Sequence, residues 1–337
     1  MANGRSSGTI AGIDVSAATL DVMRRGSDDT VAVEQYPNTP AGHRRVCRWL
    51  TAGGEPVRVV LEATGVYHRA LTRTLAATAG VEVMVANPRA VAALAQALQP
   101  RTRTDRTMAS VLCAYGQHME FRPWQPPIAA APQLQIVARR VAQLTATQTQ
   151  EKNRLHALIA SGAPPAAVVR DVRQELRALA RRLARLTREA QRLIDGAPDL
   201  RRAAQRLLSI PGIAQTSAIQ LLGELAVWPQ DLTARQWVAS AGLDVRVVQS
   251  GTSVHSRPRL SKVGNARIRA ALYLPALTAV QHEPHVRAFH HELVARGKAP
   301  QQAIVAVMRK LLHAIYGMLK ADADWDGARF RRLPQAA

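Results

Sequence analysis

Thr9-Ile10-Ala11-Gly12-Ile13-Asp14-Val15-Ser16 is an apolar run with a single carboxylate, Asp14, set into it. Such a run reads as a strand, and a carboxylate buried there is costly unless its charge is compensated. A second strand, Val57-Arg58-Val59-Val60-Leu61-Glu62, again ends on one acid and is followed at once by Ala63-Thr64-Gly65. A third isolated acid, Asp105, lies in the basic stretch Arg101-Thr102-Arg103-Thr104-Asp105-Arg106. A divalent cation is the usual compensation. Magnesium favours carboxylate oxygens and keeps several of its waters, so few protein ligands suffice. Each acid taken alone also reads as a strand-end or turn residue. Together they set out a candidate catalytic metal site of Asp14, Glu62 and Asp105 for Mg2+ or Mn2+.

The segments between these acids give the fold class. Leu20 to Arg24 and Val31 to Glu34 are short enough for a meander, and a helix follows from Pro40 to Leu50. After the strand ending at Glu62 come a helix from Tyr67 to Ala79, a strand from Val81 to Val85, a helix from Pro88 to Leu98, and a last helix from near Thr107. A β-β-β-α-β-α order with acids at strand ends predicts an RNase H-like α/β sheet with helices packed on it. The prolines of Arg122-Pro123-Trp124-Gln125-Pro126-Pro127 mark a boundary. Beyond it the chain reads as all-α. A long helical stretch reaches Ser161, and Gly162-Ala163-Pro164-Pro165 breaks it. Val172, Leu176, Leu179, Leu183, Leu186, Ala190 and Leu193 then recur in alternating steps of four and three, a heptad seam with arginine-rich flanks. This predicts a helical hairpin or coiled-coil arm. The domains are accordingly 1–122, 123–198 and 199–337, the last mainly helical.

Composition limits the partners. There are 45 Lys+Arg against 24 Asp+Glu, a net charge of +21 that points to a polyanion, most commonly nucleic acid. No apolar run reaches the length of a membrane-spanning helix. The first residues lack a signal peptide's apolar core. Two cysteines, Cys47 and Cys113, offer neither a disulfide framework nor zinc spacing. The expected setting is the cytoplasm, without a membrane.

The C-terminal third holds a second constellation. Ile210-Pro211-Gly212-Ile213 resembles half of a helix-hairpin-helix, whose turn offers backbone N–H groups to a phosphate; an ordinary interhelix turn is the other reading. Ala241-Gly242-Leu243-Asp244-Val245-Arg246 leads to Gln249-Ser250-Gly251, and Ser261-Lys262-Val263-Gly264-Asn265-Ala266-Arg267-Ile268-Arg269 makes a basic turn into a helix. Arg103, Arg106, Arg246, Lys262, Asn265, Arg267 and Arg269 are the candidate nucleic-acid contacts. Ser250 reads either as a turn residue or as a hydroxyl that reaches a phosphate.

In order, Gly12-Ile13-Asp14, Leu61-Glu62-Ala63-Thr64-Gly65, Arg103-Thr104-Asp105-Arg106, Ile210-Pro211-Gly212-Ile213, Ala241-Gly242-Leu243, Ser250-Gly251, Ser261 to Asn265 and Ala295-Arg296-Gly297-Lys298 resemble the DEDD transposases of IS110-type insertion sequences. That resemblance implies a RuvC-like catalytic domain, and a second domain whose serine, here Ser250, links covalently to DNA phosphate. It also implies donor and target DNA as substrates, a structured noncoding guide RNA, and homo-oligomers, a dimer and in synapsis a tetramer. The family's fourth acid falls three residues after the third, where this chain has Met108, a soft and weak ligand for magnesium. The expected function is therefore RNA-guided recombination through a serine–phosphate link. The alternatives are a RuvC-like nuclease or junction resolvase that needs only the acids, and a nucleic-acid-binding protein impaired at Met108.

Overall fold

The structure, a computed structural model, describes residues 8–63, 65–98, 105–247, 249–250, 254–255 and 258–333. The chain forms two compact units, Met1–Pro126 and Pro127–Ala337.

The first unit comprises β1 (Thr9–Val15), β2 (Thr19–Arg25), β3 (Val31–Pro37), α1 (Pro40–Thr51), β4 (Val57–Glu62), α2 (His68–Ala76), β5 (Val81–Ala86), α3 (Pro88–Leu98) and α4 (Asp105–His118). Short turns allow only antiparallel pairing of β1 with β2 and β2 with β3, whereas β4 and β5, reached through helices, run parallel to β1. The resulting order β3-β2-β1-β4-β5 puts β1 at the centre of a five-stranded, RNase H-like sheet. Thr39 caps α1 by accepting the Gly42 N–H at 3.2 Å, and Pro40 opens its first turn.

Strand alternation sorts the two faces. Ala11, Ile13, Val15, Leu20, Val22, Val59 and Leu61 pack with Val46 and Leu50 of α1 and Leu71 and Leu75 of α2. Val60, Met84 and Ala86 point the other way, onto Val91 and Ala95 of α3 and Val111 and Leu112 of α4. α4 lies unusually close to β1. A Cβ at Gly12 would stand 2.1 Å from the Ala109 carbonyl oxygen, and one at Gly116 would meet the side chains of Ile10 and Val60 at 2.6 Å. Only glycines permit that approach.

The second unit opens with α5 (Ala131–Ala160) and α6 (Ala166–Asp195), joined through Gly162 at φ 92° and Pro164-Pro165. The heptad seam of α6 faces α5 of the same chain, with Val172, Leu179 and Ala190 buried along it. Part of the seam is thus buried within a hairpin, while Leu176, Leu183, Leu186 and Leu193 are half-exposed. The base of α5 is part of the C-terminal core. Leu134 and Ala138 share one cluster with residues of all the larger helices beyond α6, and Gly223 packs against Ala138. For that reason the unit boundary falls at 126/127, and the hairpin is grouped with the C-terminal helices.

The remaining elements are α7 (Pro198–Leu208), α8 (Gln215–Leu225), α9 (Ala234–Ala241), the two-residue strands β6 (Val245–Arg246), β7 (Gln249–Ser250), β8 (Val254–His255) and β9 (Arg259–Leu260), then α10 (Ala266–His282), α11 (Pro284–Ala295), α12 (Pro300–Ala321) and α13 (Gly327–Phe330). β6 pairs with β9 and β7 with β8, both antiparallel. The Pro211-Gly212 turn between α7 and α8 closes against α10: Gly212 has φ 97°, and its missing Cβ leaves room for the Pro275 carbonyl at 2.6 Å. On that side the turn is a packing contact. Among the described residues, no helix is long and apolar enough to cross a membrane.

Candidate functional site

Register brings the acids of the first unit together. β1 and β4 pair from Thr9↔Val57 through Ile13↔Leu61, so the next positions on each strand, Asp14 and Glu62, are neighbours. Neighbouring strands are about 4.8 Å apart and in-register side chains share a face. That face is the one α4 covers, because Ile13 and Leu61 belong to the opposite core.

On the other side of β1, Asp14 is paired directly with Asp21 of β2, and Asp21 with Gln35 of β3. One row therefore crosses the whole sheet: Gln35, Asp21, Asp14, Glu62 and, on β5, Ala86. Asp21 is only 4% exposed and accepts a hydrogen bond from Gln35 Nε2 at 3.0 Å. Asp14 and Glu62 are half-buried. Sequence reading passed over Asp21 because Leu20-Asp21-Val22 looks like an ordinary meander strand. The available signal was a single acid in a strand one hairpin from Asp14.

α4 completes the setting. Gly116 lies over Ile10, and Ala109 lies over Gly12, so the helix runs back along β1 in the opposite sense. From Gly12 to Asp14 the strand advances by about 7 Å; from Ala109 to Asp105 the helix retreats by about 6 Å. The first turn of α4, which opens at Asp105, thus comes level with Asp14. The side chains of Asp105 and Ser250, and all of Arg103, lie outside the described residues. Met108, one turn into the helix, packs against the core formed by β4, β5, α3 and α4. The place of a fourth acid is taken by apolar packing.

The loops beyond these strand ends are tied down. Asn38 Nδ2 donates to the Ser16 carbonyl at 2.7 Å, while its Oδ1 stands 2.7 Å from His43 Nε2. His43 is buried, and burial lowers its pKa, which favours the neutral ring. Among the described residues no three His, Cys, Asp or Glu side chains converge as a metal cage. Asp14 and Glu62, oxygen donors on one face at adjacent strand ends, are the donor type that a magnesium or manganese ion takes.

In the second unit the predicted basic residues fall into two groups. Arg246, Lys262 and Arg267 are exposed, as is Arg106 in the first unit. Asn265 and Arg269 are committed to holding the loop. Asn265 caps α10 by accepting the Arg267 N–H at 2.9 Å and donates to Glu224 Oε2 at 2.7 Å. Arg269 Nη1 donates to the Ala241 carbonyl at 2.8 Å. Glu224, 3% exposed, also binds Arg139 through two bonds of 2.6 and 2.9 Å. Burial opposes its charge, but the hydrogen bonds from Arg139 and Asn265 outweigh that and hold its carboxyl below the usual range.

Known proteins share this organisation. A family model described as a transposase, of the DEDD IS110 type, matches residues 11–164, and a second, described as the transposase IS116/IS110/IS902 family, matches residues 204–291. The pilin gene-inverting proteins of Moraxella bovis and Moraxella lacunata are each 27% identical over 326 residues, covering 94% of this chain and 98% of theirs. A solved T. thermophilus RuvC in complex with a Holliday junction substrate is 17% identical over 34% of this chain and 99% of its own, with a TM-score of 0.27. The order of the matched models is the domain architecture of IS110-family DEDD-type transposases, and the enzyme class is that of a transposase or recombinase. The match also corrects one expectation. The model spanning 11–164 is a DEDD transposase model, which favours chemistry on acids over a serine route. The serine–phosphate route through Ser250 is withdrawn, and the nuclease alternative replaces it.

Proposed function

From the domain architecture of an IS110-family DEDD-type transposase, we propose that the first unit is a metal-dependent, RuvC-like DNA nuclease serving DNA rearrangement. The observation that carries this reading is the register of Asp14 and Glu62, side by side at the carboxyl ends of two parallel strands beneath the start of α4. Ligand sites of open α/β sheets lie at such ends. In this reading Asp14, Glu62 and Asp105 would hold Mg2+ or Mn2+, which would supply activation of a water and charge neutralisation at the phosphate. Asp21 keeps negative potential beside Asp14 and stands in for the acid that Met108 replaces. The Asn38–His43 pair keeps the loop after β1 in place. Hydrolysis forms a bond from water oxygen to phosphorus and breaks one ester bond, with the proton lost to solvent. The gene-inverting activity named for the Moraxella relatives supports DNA as the substrate.

The test is cleavage of labelled duplex and four-way-junction DNA by the full chain with Mg2+ or Mn2+. Asp14→Asn and Glu62→Gln should each lower the rate by about 100-fold or more, since the charge stabilisation lost is several kcal/mol. Cleavage by either variant at the parent rate, or undiminished cleavage in EDTA, would overturn the reading. A structured RNA partner and a dimeric or tetrameric assembly belong to the same proposal, supported by the family resemblance and the net charge of +21. Light scattering of the full chain with and without structured RNA tests both.

A further inference from the structure

α6 carries eight arginines and four acids between residues 166 and 195. Seven of the arginines, Arg170, Arg173, Arg177, Arg181, Arg185, Arg188 and Arg192, follow one another in steps of 3, 4, 4, 4, 3 and 4. At about 100° per residue they fall within about 60° of a common line that runs for about 33 Å. The buried seam, Val172, Leu179 and Ala190, lies about 170–180° round the helix from that line. All seven arginines are exposed. Among the described residues the only ion pair on α6 is Glu189–Arg192, which leaves the other six without a carboxylate.

Nothing in the hairpin gains from this arrangement. Like charges three or four residues apart destabilise a helix by about 0.2–0.5 kcal/mol per pair, and this stripe holds six such pairs. The buried seam accounts for charge on the outer face, and what stands out is that so nearly all of it is of one sign. A row of like charges persists at low cost where a polyanion lies along it. Guanidinium groups bind phosphate through paired N–H donors, and a rigid row of about 33 Å spans about one turn, 34–36 Å, of B-form duplex.

We infer that the outer face of α6 is a rail for the phosphate backbone of duplex DNA, binding independently of sequence. The rail is independent of the metal chemistry proposed for the first unit, so binding can be measured without cleavage. The probe is a fluorescent 30-base-pair duplex of arbitrary sequence titrated with the full chain, without divalent metal, at several salt concentrations. Each lost phosphate contact flattens the slope of log affinity against log salt by about 0.9. Arg173→Gln, Arg177→Gln and Arg181→Gln together should therefore flatten it by about three, with helicity and melting temperature retained because the seam is untouched. The same three positions changed to Lys should keep the slope. The control is Arg44→Gln, Arg48→Gln and Arg73→Gln, which removes equal charge from exposed sites on α1 and α2, on the sheet face opposite the acids. It should change the slope by less than about one. An unchanged slope in the stripe variant, equal losses in the stripe and control variants, or a loss confined to structured RNA would each overturn the inference.

Discussion

Asp21 shows how much one position can hold. It is buried, bonded to Gln35 and paired in register with Asp14. Asp21→Asn keeps size and hydrogen bonding but removes a charge. Groups that support metal ligands are typically worth about 10–100-fold in metal affinity. The expected outcome is a rise of that order in the Mg2+ concentration for half-maximal cleavage, with saturated rates less affected. Half-saturation identical to the parent would leave Asp21 as a packing residue. Met108 makes the opposite case. Its side chain is part of the apolar contact between α4 and the sheet. Met108→Asp should therefore lower the urea midpoint while adding a carboxylate one helical turn from Asp105. A rise in metal affinity despite that lower stability would show that the fourth acid's place still faces the site.

Gly12 decides the placement of an entire element. Its hydrogen occupies the space where any Cβ would collide with the backbone of α4 at Ala109 and Cys113, at 2.1 and 2.4 Å. Backbone cannot swing aside as a side chain can, so Gly12→Ala must lift the helix. Overpacking of this kind costs about 1–3 kcal/mol, and here it also moves the first turn of α4 away from Asp14. The prediction is a lower urea midpoint for the first unit together with weaker metal binding, read by thermal shift with and without Mn2+. Unchanged stability would mean that α4 has slack over β1. α6 is a contrasting element. Its heptad pattern was plain in the sequence, but its pairing with α5 depends on the Gly162-Ala163-Pro164-Pro165 turn, which folds α6 back along α5.

At the scale of the whole molecule, the second unit depends on an ionic contact that joins α5, α8 and α10. Glu224 is held ionised by Arg139 and Asn265. Its folded-state pKa is depressed, so its stabilising contribution is complete above the unfolded carboxylate pKa of about 4.3 and is lost as pH falls through the lower folded value. Unfolding of the parent should show a drop in urea midpoint below about pH 4 that is reduced in Glu224→Gln. Glu224→Ala should cost about 1–3 kcal/mol at neutral pH, because Arg139 and Asn265 lose the acceptor they share. Much of this architecture follows from local sequence. Strand alternation and turn residues lie within a few positions of one another, so the succession of strands and helices, the helical second half and the isolated acids Asp14 and Glu62 were open to direct reading. The DEDD match then selected acid-based chemistry over the serine route that sequence resemblance alone had favoured. What local sequence could not supply was distance across the fold. Asp21 reaches Asp14 only through strand register, Gly12 reaches Ala109 only through helix packing, and Glu224 reaches Asn265 across 41 residues. Contacts of that kind are fixed when the cores close, and only the tertiary structure decides them.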